Sequence, residues 1–208
     1  MKHALIIGAG GIGGAVASRL DGYTLTLAGR NARTLTDLKQ QLGADAVLCN
    51  LNSELEVKAL ADTLSKLDLM VYAAGAIYPE PLTTTSAQHW HETFEANVTG
   101  LFYCLKHIAP KFSAGARVFV IGARPELVTL RNFGAYAASK AAVTALCQVA
   151  ALELRRQASL TLVLPKAVRT PFWEGVGTPP RDALGPDQVA EAIVAALQSE
   201  PVAELRVG

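Results

Sequence analysis

The chain has 208 residues, of which half are hydrophobic and 18% are charged, with a formal net charge of +1. This length suits one domain with a substantial core, and the small net charge provides no basic field for a nucleic-acid partner. There is no uninterrupted apolar run of about 18 residues, so we expect no membrane partner. Three widely spaced cysteines, Cys49, Cys104 and Cys147, indicate reduced, buried thiols in a cytoplasmic protein.

Short β-rich segments alternate with helical segments along the whole chain. The predicted strands span 4–7, 24–28, 46–49, 67–72, 117–121, 160–164 and 204–207. The predicted helices span 12–20, 32–42, 53–65, 87–111, 134–157 and 187–199. Such alternation is typical of right-handed βαβ units. It predicts an α/β, single-domain Rossmann fold over residues 1–208, with a doubly wound parallel sheet of about seven strands flanked by helices.

A glycine loop follows the first predicted strand and opens the first predicted helix. It places Gly8, Gly10, Gly11, Ile12 and Gly13 where a backbone can approach a pyrophosphate, in the spacing Gly-x-Gly-x-x-Gly. A purely structural turn is the alternative. The N-terminus also imitates a signal peptide, but five glycines within residues 8–14 suit a turn better than a signal core.

The end of the second predicted strand bears on which dinucleotide binds. A site for NAD places an acid here to bind the ribose 2′-hydroxyl, yet no Asp or Glu occurs between Asp21 and Asp37. Arg30 can instead bind a 2′-phosphate, helped by Asn31 or Arg33. We therefore predict NADP(H) as the cofactor, with a surface arginine at a helix start as the alternative.

Tyr136 and Lys140 are four residues apart on a predicted helix and so share one face. A nearby ammonium favours phenolate, and an attraction of about 4 kcal/mol would lower a phenol pKa by about three units. This expectation makes Tyr136 a candidate acid/base group near neutral pH. Asn97 is a poor interior helix residue, which indicates either a specific hydrogen bond or a structural kink. His89 and His91 point to different sides of a helix, and we predict no metal site.

Together the glycine loop, Asn97 and the Tyr136-Ala-Ala-Ser-Lys140 segment resemble the short-chain dehydrogenase/reductase family. The resemblance implies that Tyr136 donates a proton to a carbonyl, that Lys140 also binds the nicotinamide ribose, and that Asn97 anchors a water. It implies a homodimer or homotetramer formed through helices 87–111 and 134–157. It further implies cofactor contacts from Asn50, Leu51, Ala73, Ala74, Gly75, Pro165, Val168 and Thr170.

Several positions depart from the family pattern. Ala123 stands where the family has a serine, 13 residues before Tyr136, and no serine lies between Ser113 and Ser139. Thr129, the Arg124 side chain or a water could replace that donor. Lys166 replaces a glycine, which we expect to cost backbone freedom. Residues 171–186 contain four prolines and form either a substrate lid or a simple connection.

These observations favour one function and leave a second open. The first is an NADP(H)-dependent oxidoreductase that interconverts a carbonyl and an alcohol by hydride transfer, with a small-molecule substrate and weak activity because the serine is missing. The second is an NADP(H)-binding redox sensor or regulatory protein with little or no turnover. Intact Asn97, Tyr136 and Lys140 favour the enzyme, whereas Ala123, Lys166 and a glycine loop one residue shorter than the family's favour the sensor.

Overall fold

A computed structural model describes all residues, 1–208, and contains one seven-stranded sheet. Every strand pair is parallel, and the order in the sheet is β3-β2-β1-β4-β5-β6-β7. The strands are β1 Lys2–Ile7, β2 Tyr23–Gly29, β3 Asp45–Leu48, β4 Leu67–Tyr72, β5 Phe112–Ile121, β6 Ala158–Pro165 and β7 Glu204–Val207. The doubly wound parallel sheet predicted from the sequence is therefore confirmed.

Eight α-helices connect the strands. They are α1 Ile12–Ala17, α2 Ala32–Leu42, α3 Glu54–Thr63, α4 Ala87–Phe94, α5 Gly100–Ile108, α6 Pro125–Val128, α7 Gly134–Leu154 and α8 Pro186–Leu197. A π-helical turn, Glu95–Thr99, separates α4 from α5, and short 3₁₀ helices occupy Ala109–Lys111 and Pro171–Gly175. The predicted helix over 87–111 is confirmed as one uninterrupted helical segment, and the structure adds the π turn that holds Asn97.

Two hydrophobic cores lie on opposite faces of the sheet. Side chains alternate along each strand, so Leu5 and Ile7 enter one core while Ala4 and Ile6 enter the other. The first core packs against α3, α5 and α7, and the second against α1, α2 and α8. Burial on both faces explains why these strands are almost uniformly apolar.

The strand β5 is longer than the sequence predicts, beginning at Phe112 rather than Arg117. Its first half contains Gly115 at φ 78° and pairs irregularly with β4, with a register shift between Leu67 and Leu69. A glycine and a broken register weaken the alternating pattern from which strands are predicted.

The three cysteines are buried and free, as predicted from the sequence. Helix α7 is the one helix long and apolar enough, by length and composition, to cross a membrane. In this fold it packs against β6 and α4, and its buried residues include Val143 and Cys147 of the first core. These contacts are those of a core helix in a globular domain.

Candidate active site

The site lies at the carboxyl ends of the central strands, where the strand order reverses between β1 and β4. Open parallel sheets bind ligands in the crevice at such a reversal. Two cavities of about 570 and 290 Å³ adjoin there. Gly10, Ala73, Ala74 and Gly75 line both cavities, which therefore form one groove across the sheet edge.

The glycine loop forms the floor at the centre of this groove. Gly8 has φ 83°, and a Cβ there would lie 2.5 Å from the backbone nitrogen of Ala74. A side chain at Gly10 would instead project into open space, so the backbone borders the groove directly. Gly11 and Ile12 line the larger cavity, whereas Gly13 lines neither and packs against the carbonyl of Gly8. The loop thus leaves room for a phosphate group close to its backbone.

The smaller cavity is lined at its outer end by Arg30, Asn31, Thr34 and Leu51. Arg30 is exposed and forms no ion pair or hydrogen bond with the protein. The side chain of Asn31 caps α2, its Oδ1 accepting a hydrogen bond from the Thr34 amide at 3.0 Å. No carboxylate lines this cavity, so its only charged side chain is a free cation.

Asn50 lies outside both cavities. Its Oδ1 accepts a hydrogen bond from the Asn52 amide at 3.2 Å, and its own amide donates to Glu56 at 2.8 Å. Of Asn50 and Leu51, which were both predicted to contact the cofactor, only Leu51 lines a cavity.

Tyr136 and Lys140 both line the larger cavity from the first turns of α7. The Nζ of Lys140 is 5.6 Å from the centroid of the Tyr136 ring and donates a hydrogen bond to the carbonyl of Ile121 at 3.0 Å. Burial lowers the pKa of Lys140 from 10.5 to about 8. Burial also raises the pKa of Tyr136 above its ordinary value of 10.

The expectation that Lys140 lowers the pKa of Tyr136 is therefore wrong for the chain by itself. Burial disfavours both charged forms, and the ammonium of Lys140 is bound to a carbonyl at the end of β5. Tyr136 consequently keeps its proton at neutral pH, as a proton donor must.

Asn97 is buried in the π turn and binds both backbone groups of Ala76. Its Oδ1 accepts from the Ala76 amide at 2.8 Å, while its Nδ2 donates to the Ala76 carbonyl at 3.0 Å and to Ser139 Oγ at 2.8 Å. Ser139 in turn donates to the carbonyl of Tyr136 at 2.8 Å. A Cβ at Gly75 would lie 2.9 Å from Asn97 Oδ1. Asn97 thus fixes the loop after β4 to the start of α7.

Ala123 is buried in the wall of the larger cavity, and neither predicted side-chain replacement is a free donor. The Thr129 hydroxyl donates to the carbonyl of Pro125 at 2.7 Å, and this residue does not line the cavity. The Arg124 guanidinium donates to the carbonyls of Leu164, Val207 and Gly208, at 3.1, 3.1 and 2.6 Å. The only hydroxyl groups in the wall belong to Tyr136 and Thr170.

The segment after β6 brings Pro165, Val168 and Thr170 into the larger cavity, where the methyl group of Thr170 packs against Gly11. Lys166 also lines it, and the expected backbone cost of replacing a glycine does not arise. The only non-glycine residue with a positive φ is Asn132, so Lys166 occupies an ordinary conformation.

The segment 171–186 contributes six residues to the wall of the larger cavity, namely Pro171, Phe172, Trp173, Pro180, Asp182 and Ala183. The Phe172 ring lies 5.6 Å from that of Tyr136, and Trp173 Nε1 donates to the carbonyl of Val168 at 2.9 Å. A role of this segment as a substrate lid stays a prediction.

Sequence reasoning missed a second apolar part of the cavity wall. Leu127, Val128 and Leu130 come from α6 and the turn after it, and Phe133 meets the Tyr136 ring edge-on at 6.1 Å. The sequence pattern that could have indicated it is the group of apolar residues in the connection between β5 and α7. His89, by contrast, lies outside both cavities, where it pairs with Glu80 at 2.7 Å and stacks on Tyr78.

Comparison with known proteins agrees with this geometry. The family model described as short chain dehydrogenase matches residues 2–180. An uncharacterized oxidoreductase of Staphylococcus epidermidis is 31% identical over 94% of this chain and 90% of its own length. A candidate short-chain oxidoreductase of Thermus thermophilus is 37% identical with a TM-score of 0.89, over 97% of this chain and 98% of that one.

An alcohol dehydrogenase from the archaeon Thermococcus sibiricus, complexed with 5-hydroxy-NADP, is 26% identical with a TM-score of 0.84. The similarity covers 99% of this chain and 95% of that one. Sequence, fold and site geometry agree, and the chain is an oxidoreductase that belongs to the short-chain dehydrogenase/reductase family.

Proposed function

We propose that the protein is an NADP(H)-dependent oxidoreductase that interconverts a small-molecule carbonyl and the corresponding alcohol. The observation that carries the proposal is the placement of Tyr136 and Lys140 in the wall of a cavity that continues into a groove ending at Arg30. The solved relative from Thermococcus sibiricus, complexed with 5-hydroxy-NADP, supports the choice of cofactor.

The residues present fit a dinucleotide. The glycine loop leaves open space beside Gly10, and Arg30 offers an unpaired guanidinium whose fork of donors suits a 2′-phosphate. Ala73, Ala74 and Gly75 keep the centre of the groove free of large side chains. Pro165, Val168 and Thr170 border its far end, and the cofactor, when bound there, supplies the hydride.

Tyr136 supplies the proton in this mechanism. Its raised pKa keeps the phenol protonated until the carbonyl oxygen gains charge, when proton transfer becomes favourable. With a pKa of about 8, Lys140 is mostly charged at neutral pH, and its ammonium lies 5.6 Å from the centroid of the Tyr136 ring. Asn97 positions the loop beside Lys140 through Ala76.

A specific observation favours slow turnover. Ala123 leaves the carbonyl oxygen with one donor fewer, and the neighbouring Thr129 and Arg124 are bonded elsewhere. Loss of a preorganised donor typically lowers the rate about 10²- to 10³-fold. The same observation supports the second candidate function, an NADP(H)-binding redox sensor.

The experiment that tests the enzyme proposal follows NADPH oxidation against a broad panel of aldehydes and ketones. Tyr136→Phe should lower turnover by a factor of about 10² to 10⁴ while NADPH affinity stays within a few-fold. Lys140→Ala should impair both, and Tyr23→Phe, remote from the site, should impair neither. Tight NADPH binding without turnover of any compound would favour the sensor, and activity persisting in Tyr136→Phe would refute the assigned donor.

We also propose a homodimer or homotetramer formed through α4, α5 and α7. Phe102, Val149 and Leu152 are 46%, 51% and 68% exposed on these helices, and exposed apolar side chains on adjacent elements mark interaction surfaces. Light scattering at micromolar concentration should give a multiple of the 21.9 kDa chain mass. A monomer would overturn the assignment.

A further inference from the structure

Aromatic and aliphatic side chains surround Tyr136 in the larger cavity of the candidate active site. The ring of Tyr136 has Phe133 edge-on at 6.1 Å and Phe172 at 5.6 Å with an interplanar angle of 53°. Leu127, Val128 and Leu130 continue the same wall. Aromatic pairs favour such edge-on and tilted contacts at these separations, so a further ring could pack here in the same manner.

The polar groups of this wall are already bonded within the protein. Trp173 Nε1 donates to the Val168 carbonyl, and the Arg124 guanidinium is bonded to three backbone carbonyls. Beyond Tyr136, Lys140 and Thr170, the side-chain donors left in the wall are the Nη1 of Arg124 and the exposed Nζ of Lys166, which is few for a polyhydroxylated substrate. Such a substrate would lose hydrogen bonds to water without replacing them.

The remaining charges are paired at the cavity mouth. Lys166 lies 3.8 Å from Asp182, and Glu126 lies 3.6 Å from Arg206, in pairs whose side chains are largely exposed. The cations of this wall without a carboxylate partner are therefore Lys140 and Arg124, and both are bonded to backbone carbonyls. An ammonium carried into this wall would be desolvated without a partner, and a carboxylate would have to compete with those carbonyls.

From these contacts we propose that the substrate is a compact, uncharged carbonyl compound bearing an aromatic group, which packs against Phe133 and Phe172. This inference rests on the proposed function and names its substrate class. The cavity volume of about 570 Å³ includes the space beside Gly10 and Gly11 assigned to the cofactor, so the substrate itself is small. The carbonyl faces Tyr136, and the ring occupies the apolar wall.

The test compares matched aldehydes at saturating NADPH. Methyl 4-formylbenzoate and 4-formylbenzoate share one ring and differ in charge, and glyceraldehyde represents a small polyhydroxylated aldehyde. We expect kcat/KM for the ester to exceed that for the carboxylate, and that for glyceraldehyde, at least tenfold. Equal or reversed preference would overturn the substrate class while leaving the reductase function intact.

The variant Phe172→Ala should lower kcat/KM for the ester at least fivefold without changing NADPH affinity, and Phe172→Leu should fall between it and the wild type. Leu55→Ala, on the exposed face of α3, serves as the matched control and should change neither value. If kcat/KM for the ester is unchanged in Phe172→Ala, the proposed packing of the substrate ring against Phe172 is refuted.

A binding measurement decides the case without turnover. The chain has two tryptophans, Trp90 and Trp173, so in a Trp90→Phe background the fluorescence reports on the cavity wall alone. Benzyl alcohol should change this fluorescence at concentrations at least tenfold lower than 4-carboxybenzyl alcohol. Reduction of no compound would refute the proposed function, whereas equal binding of the two alcohols would refute the substrate class.

Discussion

The hydroxyl of Tyr72, at the end of β4, donates a hydrogen bond to the carbonyl of Ala96 at 3.0 Å. Ala96 is the second residue of the π turn and directly precedes Asn97. Gly100 makes the contact sterically feasible, because a Cβ there would lie 2.8 Å from the Tyr72 hydroxyl. Tyr72 thus stabilises the π turn, whose Asn97 in turn binds Ala76 in the loop beside Lys140.

The variant Tyr72→Phe should lower the free energy of unfolding by about 1 to 3 kcal/mol. It leaves the carbonyl of Ala96 buried without its partner, and the cost of such a group falls in this range. Urea denaturation measures the change. Tyr103→Phe, on α5 and without a side-chain hydrogen bond, is the control and should change stability by less than about 0.5 kcal/mol.

Replacing Arg30 should weaken NADPH binding selectively. A hydrogen bond to a charged group contributes about 1.5 to 3 kcal/mol, so Arg30→Ala should raise the NADPH dissociation constant about 10- to 100-fold. NADH affinity should stay within a few-fold. Isothermal titration of both cofactors measures this, with Lys39→Ala at the other end of α2 as the control. Equal affinities of the wild type for NADPH and NADH would contradict the assignment.

Restoring a hydroxyl at position 123 should increase turnover. Ala123→Ser places a donor in the wall that also holds Tyr136, and one such donor typically changes the rate by about 10² to 10³. Steady-state kinetics on a simple aldehyde should show a gain in kcat, with NADPH affinity unchanged. No gain with intact NADPH binding would favour the sensor, and high wild-type activity would show that another donor already serves.

The burial of Lys140 predicts a pH dependence of stability. Its pKa is about 8 in the folded protein and 10.5 ordinarily, so between these values the unfolded chain retains a proton that the folded chain has lost. Stability therefore rises with pH in this window. From pH 8 to 10 the wild type should gain about 2 kcal/mol relative to Lys140→Met, measured by urea denaturation. Parallel pH profiles for the two proteins would contradict a lowered pKa.

The fold could be predicted because its signals are local. Apolar runs and the glycine loop each lie within one segment, and the bounds of β4, β7 and α2 agree with the predicted ones. The π turn inside the helix over 87–111 could not be predicted from sequence, since it depends on contacts with Tyr72 and Ala76, distant in the chain.

The same distinction holds for the site. The spacing of Tyr136 and Lys140 predicts that they share a face, and both line one cavity. Their pKa values depend instead on burial, which only the folded chain creates. The wall containing Phe133 and Phe172 likewise joins segments almost 40 residues apart, beyond any local pattern.

The three carbonyls bound by Arg124 have a mechanical consequence. One belongs to β6 and two to the last residues of the chain, in and just after β7. The outermost strand of the sheet is therefore fastened to the residue adjoining Ala123, and displacement of β7 would remove two of the three anchors. The rigidity of the cavity wall at Ala123 therefore depends on how firmly β7 is held at the edge of the sheet.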